Sequence, residues 1–129
     1  MSAELEIIMD HYAASARGDL EGMLACLADE VSWTEMAGFP YAGTYVGPAA
    51  VRSGVFERLG GDWDSYQAEP DEFVDGAGGT IVTLGHYSGL FKATGQHMRV
   101  RFAHVWHLEN EKVVRFEQFT DTHLVREAM

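Results

Sequence analysis

After Gly60-Gly61 the spacing of apolar residues changes from about 3.6 to about 2, so the chain reads as helices first and strands afterwards. In the first half, Leu5, Ile8 and Tyr12 recur at helical spacing over residues 3–16, and Arg17-Gly18 ends that helix. Asp19 reads as the N-cap of a second helix, with Leu20, Met23, Leu24 and Leu27 as one apolar stripe. Val31 to Glu35 alternates as a short strand, and a Gly- and aromatic-rich loop follows from Met36 to Gly47. Pro48, favoured in a first helical turn, opens a third helix to about Leu59. Four alternating segments come next, at about 63–74, 79–91, 96–108 and 112–122. Asp75-Gly76-Ala77-Gly78, Ala93-Thr94-Gly95 and Glu109-Asn110-Glu111 join them as hairpin connections. Pro70 marks the first of these strands as bent or at an edge. The expected architecture is α+β: one domain over residues 1–129, with three N-terminal helices packed into a strongly curved antiparallel sheet that forms a cone.

Composition narrows the functions such a fold can serve. With 129 residues, 47% of them hydrophobic, the chain can bury a sizeable core, and no stretch approaches the roughly 20 apolar residues of a membrane span. The opening MSAELEIIMD is acidic where a secretory signal is basic, and Cys26 has no partner for an internal disulfide, so a cytoplasmic protein is expected. A formal charge of -11 repels phosphate backbones and anionic headgroups, which argues against nucleic-acid or membrane partners. Arg99, Arg101 and Arg115 read as an outer sheet face paired with Glu117 and its neighbours. Gly76-Ala77-Gly78-Gly79 precedes a strand, so it is a hairpin turn and not a phosphate cradle. The six histidines lack zinc-site spacing, no serine sits in an elbow motif, and neither metal nor cofactor is expected.

Alternation assigns the faces of the strands. In segment 96–108, Met98, Val100, Phe102, His104, Trp106 and Leu108 form the apolar face, which turns toward the helices. His104 is then a lone ionisable group among aromatics, and Gln118 is its counterpart on the last strand beside Val114, Phe116 and Thr120. Such groups need hydrogen-bond partners, or each costs about 1–3 kcal/mol. Their mutual satisfaction, directly or through water, is the simplest account of the pair. His11 and Tyr12 lie midway along the first helix, and Glu35 ends the first strand after Trp33. A carboxylate at the rim of an aromatic pocket has its pKa raised by desolvation, which suits a general base. Asp121 is the nearest other carboxylate, but alternation points it to the opposite face.

The ordered motifs resemble the nuclear transport factor 2-like superfamily, in particular its ketosteroid isomerase-like and SnoaL-like polyketide cyclase branches. The resemblance runs through His11-Tyr12-Ala13-Ala14, Arg17-Gly18-Asp19-Leu20-Glu21-Gly22-Met23 and Ala28-Asp29-Glu30-Val31. It continues through Tyr41-Ala42-Gly43-Thr44-Tyr45-Val46-Gly47 into Pro48-Ala49-Ala50-Val51. It closes with Phe102-Ala103-His104-Val105-Trp106-His107-Leu108 and Lys112-Val113-Val114-Arg115-Phe116. The isomerase pattern implies a phenolic donor at the position of His11, a general base at Glu35 and an oxyanion-hole acid at His104. The cyclase pattern implies a histidine at His104, with its catalytic aspartate falling on Gln118. Together these imply acid–base chemistry on an apolar ring-bearing substrate, with Glu35 moving a proton and His104 and His11 stabilising an oxyanion. Tyr12, Trp33, Phe39, Tyr41, Tyr45, Phe56, Phe102, Trp106, Phe116 and Gln118 would line the pocket. The alternative is a non-catalytic module that binds a small apolar ligand or dimerises. A homodimer is expected in both cases, because Val105, Phe119 and Val113 leave an apolar outer face.

Overall fold

The structure, a computed structural model, describes residues 1–129. It is an α+β fold in which helices pack into the hollow of a curled six-stranded sheet. Helix α1 (Ala3–Ala16) is capped by the Ser2 side chain, which accepts the Leu5 N–H, and ends at Gly18 in the left-handed region. Asp19 caps α2 as expected, but α2 (Leu20–Leu24) is a single turn. Leu27 belongs instead to strand β1 (Leu27–Glu35), which starts four residues before the expected Val31. The loop after it carries a short edge strand, β2 (Gly43–Val46), paired antiparallel with β1.

The third helix forms in three pieces: α3 (Pro48–Val51), a π-helical turn (Arg52–Phe56) and α4 (Glu57–Asp62). The π turn puts Val55 and Phe56 on the inner side, and Gly54 leaves room there for the Tyr45 ring, which an added Cβ would overlap.

Strands β3 (Trp63–Asp75), β4 (Thr80–Phe91), β5 (Gln96–Glu109) and β6 (Lys112–Thr120) form an antiparallel meander. The sheet order is β2-β1-β6-β5-β4-β3, open at both edges, with β3 an edge strand as Pro70 implies. Register shifts next to Pro70 and at His107/Leu108 bend it. One feature departs from the all-antiparallel expectation: β1 runs parallel to β6. Alternation reveals which face a strand buries, not which way its neighbour runs.

The last strand also stops earlier than residue 122. Asp121 accepts the Leu124 N–H and opens a short helix, α5 (Thr122–Glu127). The even residues of β5 from Met98 to Leu108 are buried, as alternation requires. Val113 is fully buried too, so it belongs to the core and not to the outer face; the shift at His107/Leu108 turns it inward. On the outer face Arg115 faces Glu117 at 3.9 Å, whereas Arg101 donates to the Gly85 carbonyl and makes no ion pair. No helix is long and apolar enough to cross a membrane.

Candidate active site

Register places the polar inner residues in one row across the sheet. Glu35 pairs with Gln118, Gln118 with His104, and His104 with Thr83, and all four are buried. The adjacent inward row is Trp33, Phe116, Trp106 and Ile81. A polar row thus lies beside an aromatic one. Within the aromatic row Trp33 stacks on Phe116 with ring centroids 3.7 Å apart, and His104 of the polar row stacks on Phe102 at 3.9 Å.

Helix α1 and the third helix roof these rows and leave a small cavity of about 40 Å³. Glu35, His104 and His11, drawn from β1, β5 and α1, all line it. Tyr12, Trp33, Phe56, Trp106 and Phe116 line it as well. Tyr41, Tyr45, Phe39, Phe102 and Gln118 do not. Tyr41 bonds Asp62 at 2.7 Å and receives the Trp63 indole N–H, which pins the 36–47 loop to α4. Tyr45 donates to the Tyr41 carbonyl and packs on Gly54. Phe39 packs edge-on to Tyr41, while Phe102 and Gln118 form a second layer behind His104 and Tyr87. Asp121 is exposed at the start of α5, outside the cavity.

Each ionisable group here is held neutral by burial. Glu35 is 5% exposed, and its Oε2 makes no hydrogen bond. Burial raises its pKa to about 8, opposed only by the Trp33 indole N–H beside it. At neutral pH it is mostly a carboxylic acid. Burial also lowers His11 to about 4. Its Nδ1 lies 3.0 Å from the Met23 carbonyl, which can only accept, so Nδ1 carries the proton. The Nε2 of His11 is therefore a bare acceptor.

Burial holds the pKa of His104 well below the ordinary histidine value, with neighbouring His11 adding to the effect. Both its ring nitrogens are taken by phenols: Tyr12 Oη at Nδ1 and Tyr87 Oη at Nε2, each 2.6 Å away. His104 and Gln118 do not satisfy each other directly, because Tyr87 stands between them and accepts the Gln118 amide N–H at 3.1 Å. The Gln118 Oε1 accepts the Met36 N–H.

Beyond the expected residues, the cavity is lined by Ser15, Val55, Leu59 and Ala68 and by two tyrosines, Tyr66 and Tyr87. Tyr87 could have been found by extending the alternation of 79–91, since Ile81, Thr83 and Tyr87 share one face. Tyr66 follows Ser65, whose φ of 53° breaks the alternation of β3, so no periodic signal marks it.

Comparison with known proteins settles the family. The SnoaL-like domain pattern matches residues 8–116. The chain belongs to the SnoaL-like domain family. Within the wider NTF2-like superfamily it is similar to an NTF2-like protein from Burkholderia thailandensis, at 48% identity and a TM-score of 0.95 over 100% of this chain and 98% of the other. A second NTF2-like protein, from Burkholderia pseudomallei and of unknown function, is 31% identical with a TM-score of 0.91 over 99% and 98% of the two chains. TerC, crystallised with polyporic acid, is 25% identical with a TM-score of 0.88 over 98% of both chains. No curated protein matches the chain.

Proposed function

We propose that this SnoaL-like chain is a cofactor-independent acid–base enzyme acting on an apolar, ring-bearing small molecule. The observation that carries this reading is Glu35: a buried carboxyl with an unbonded oxygen, facing a cavity walled by aromatic rings. A structural carboxyl at such a place would be hydrogen-bonded, because its desolvation otherwise destabilises the fold. In its ionised form a carboxylate stripped of water is a stronger base than one in solvent. Glu35 is proposed to take a proton from a carbon beside a carbonyl or similar group and return it elsewhere on the substrate. With a pKa of about 8, roughly one site in ten is ionised at pH 7. Turnover should therefore rise about tenfold per pH unit below pH 8 and level off above it.

Because both nitrogens of His104 are already engaged, it would serve the developing oxyanion through a phenol it holds. His11 presents an acceptor to the cavity. TerC, a relative crystallised with polyporic acid, supports a small organic ligand for this chain. The outer face of Val82, Leu84, Ala103, Val105 and Phe119 is the surface we propose for a homodimer, with sedimentation as its test.

The reaction is tested by proton exchange. Ring ketones incubated with the protein in D2O should exchange their α-protons, as followed by NMR, and Glu35→Gln should lose the exchange. Exchange that persists in Glu35→Gln refutes the assignment. Saturable binding with no exchange favours the ligand-binding module, a reading to which the small cavity volume lends weight.

A further inference from the structure

The chain Tyr12–His104–Tyr87 has three protons to place and only two links to place them in. Neutral His104 carries one, and each phenol carries one; the two short contacts at Nδ1 and Nε2 use two of them. The third must be donated outside the chain, and the surroundings decide from which end. Tyr12 Oη already accepts the Trp106 indole N–H at 3.2 Å. Thr83 Oγ1 lies beside Tyr12 as a donor toward its oxygen, and no hydrogen bond from Tyr12 to Thr83 forms. Tyr12 therefore turns its proton to His104 Nδ1, and His104 holds its own on Nε2, donating to Tyr87 Oη. Tyr87 accepts from both His104 and the Gln118 amide, so both lone pairs are filled. Its own O–H is the surplus donor, and Tyr87 lines the cavity beside Glu35 and Tyr66, whose hydroxyl is the partner that a ligand oxygen would replace.

Cavity shape fixes what can reach that donor. The inner chamber of about 40 Å³ has room for a few water molecules or a small polar tip, not for a ring. Ser15, Phe56, Leu59 and Tyr66 line it, and the same four line an outer depression of about 310 Å³ that opens to solvent beside Trp63. These side chains form a wall common to the two spaces.

We propose that Tyr87 binds the substrate oxygen, its hydroxyl turned into the cavity by His104 as a positioning residue, and that the ligand is a neutral carbonyl on a flat apolar ring whose body stays in the outer depression. This rests on the small-molecule reading above and deepens it.

Acetophenone and its isostere α-methylstyrene, which replaces the oxygen by CH2, are the probes. Acetophenone should bind with its carbonyl stretch shifted to lower frequency. Tyr87→Phe should lose most of that shift and bind acetophenone about three- to tenfold more weakly, as expected for one hydrogen bond, with α-methylstyrene binding unchanged. Thr83→Val should leave the shift intact, and 15N NMR should find the His104 proton on Nε2. His104→Gln should reduce the shift while α-methylstyrene still binds. A stretch unchanged in Tyr87→Phe, a proton on Nδ1, or equal binding of the two probes overturns the proposal. If Glu35-dependent exchange persists while the stretch ignores Tyr87, this inference alone fails. If the stretch depends on Tyr87 without any exchange, the proposed reaction alone fails.

Discussion

Replacing Glu35 by glutamine keeps the shape of the neutral acid and removes its titration, so the variant isolates what ionising this carboxyl costs the fold. In the unfolded chain Glu35 titrates near 4.5, and in the folded protein near 8. Between those values the folded state holds a proton that the unfolded state has released, so wild-type stability falls as pH rises through the window. At 1.36 kcal/mol per pH unit, the full window amounts to about 5 kcal/mol, and above pH 8 the loss levels off. Glu35→Gln lacks this slope. Urea unfolding of both proteins from pH 5 to pH 9 should show similar stability at pH 5, with the variant more stable by a growing margin up to about pH 8. Other titrating groups cancel in the difference. Parallel curves for the two proteins would mean that Glu35 is solvated, and the argument from an unbonded buried carboxyl would fall.

The acid side of the stability profile should belong to the histidines. His11 drops from 6.5 to about 4 on folding, so its contribution is intact above pH 6.5 and lost as pH falls toward 4; His11→Asn should remove about 3 kcal/mol of that fall in the same assay. Trp106→Ala, at a fully buried side chain, should cost about 3–5 kcal/mol by urea unfolding. Asp121→Ala removes only the cap of α5 and should cost about 1 kcal/mol, leaving exchange activity and the Glu35 titration unchanged. Gly54→Ala forces the Tyr45 ring to move and should cost about 1–3 kcal/mol in thermal or urea melts.

What the sequence disclosed was what alternation and capping encode. The even face of β5, the Asp19 cap and the inward turn of Glu35 are local patterns that the structure holds, whereas helices precede strands only in part, since β1 and β2 come before α3 and α5 follows β6. The parallel β1–β6 pairing lay beyond reach, since it joins segments about eighty residues apart through the sheet alone. Val113 was misassigned because a register shift reverses alternation without leaving a mark in composition. The Met36–Gly47 loop offered Phe39, Tyr41 and Tyr45 as pocket aromatics; their rings instead pack on the loop itself, Gly54 and α4, contacts with no periodicity to betray them. Tyr87 shows the opposite case: its alternation was visible, but a role that depends on both nitrogens of His104 being occupied requires coordinates.

The most direct test of the central idea, that Glu35 is a dry, proton-holding acid facing an aromatic cavity, is its own titration. With 13C-labelled glutamate and Glu35→Gln to assign the resonance, the Glu35 carboxyl should titrate with a midpoint near 8. A midpoint near the ordinary 4.5 would contradict the account.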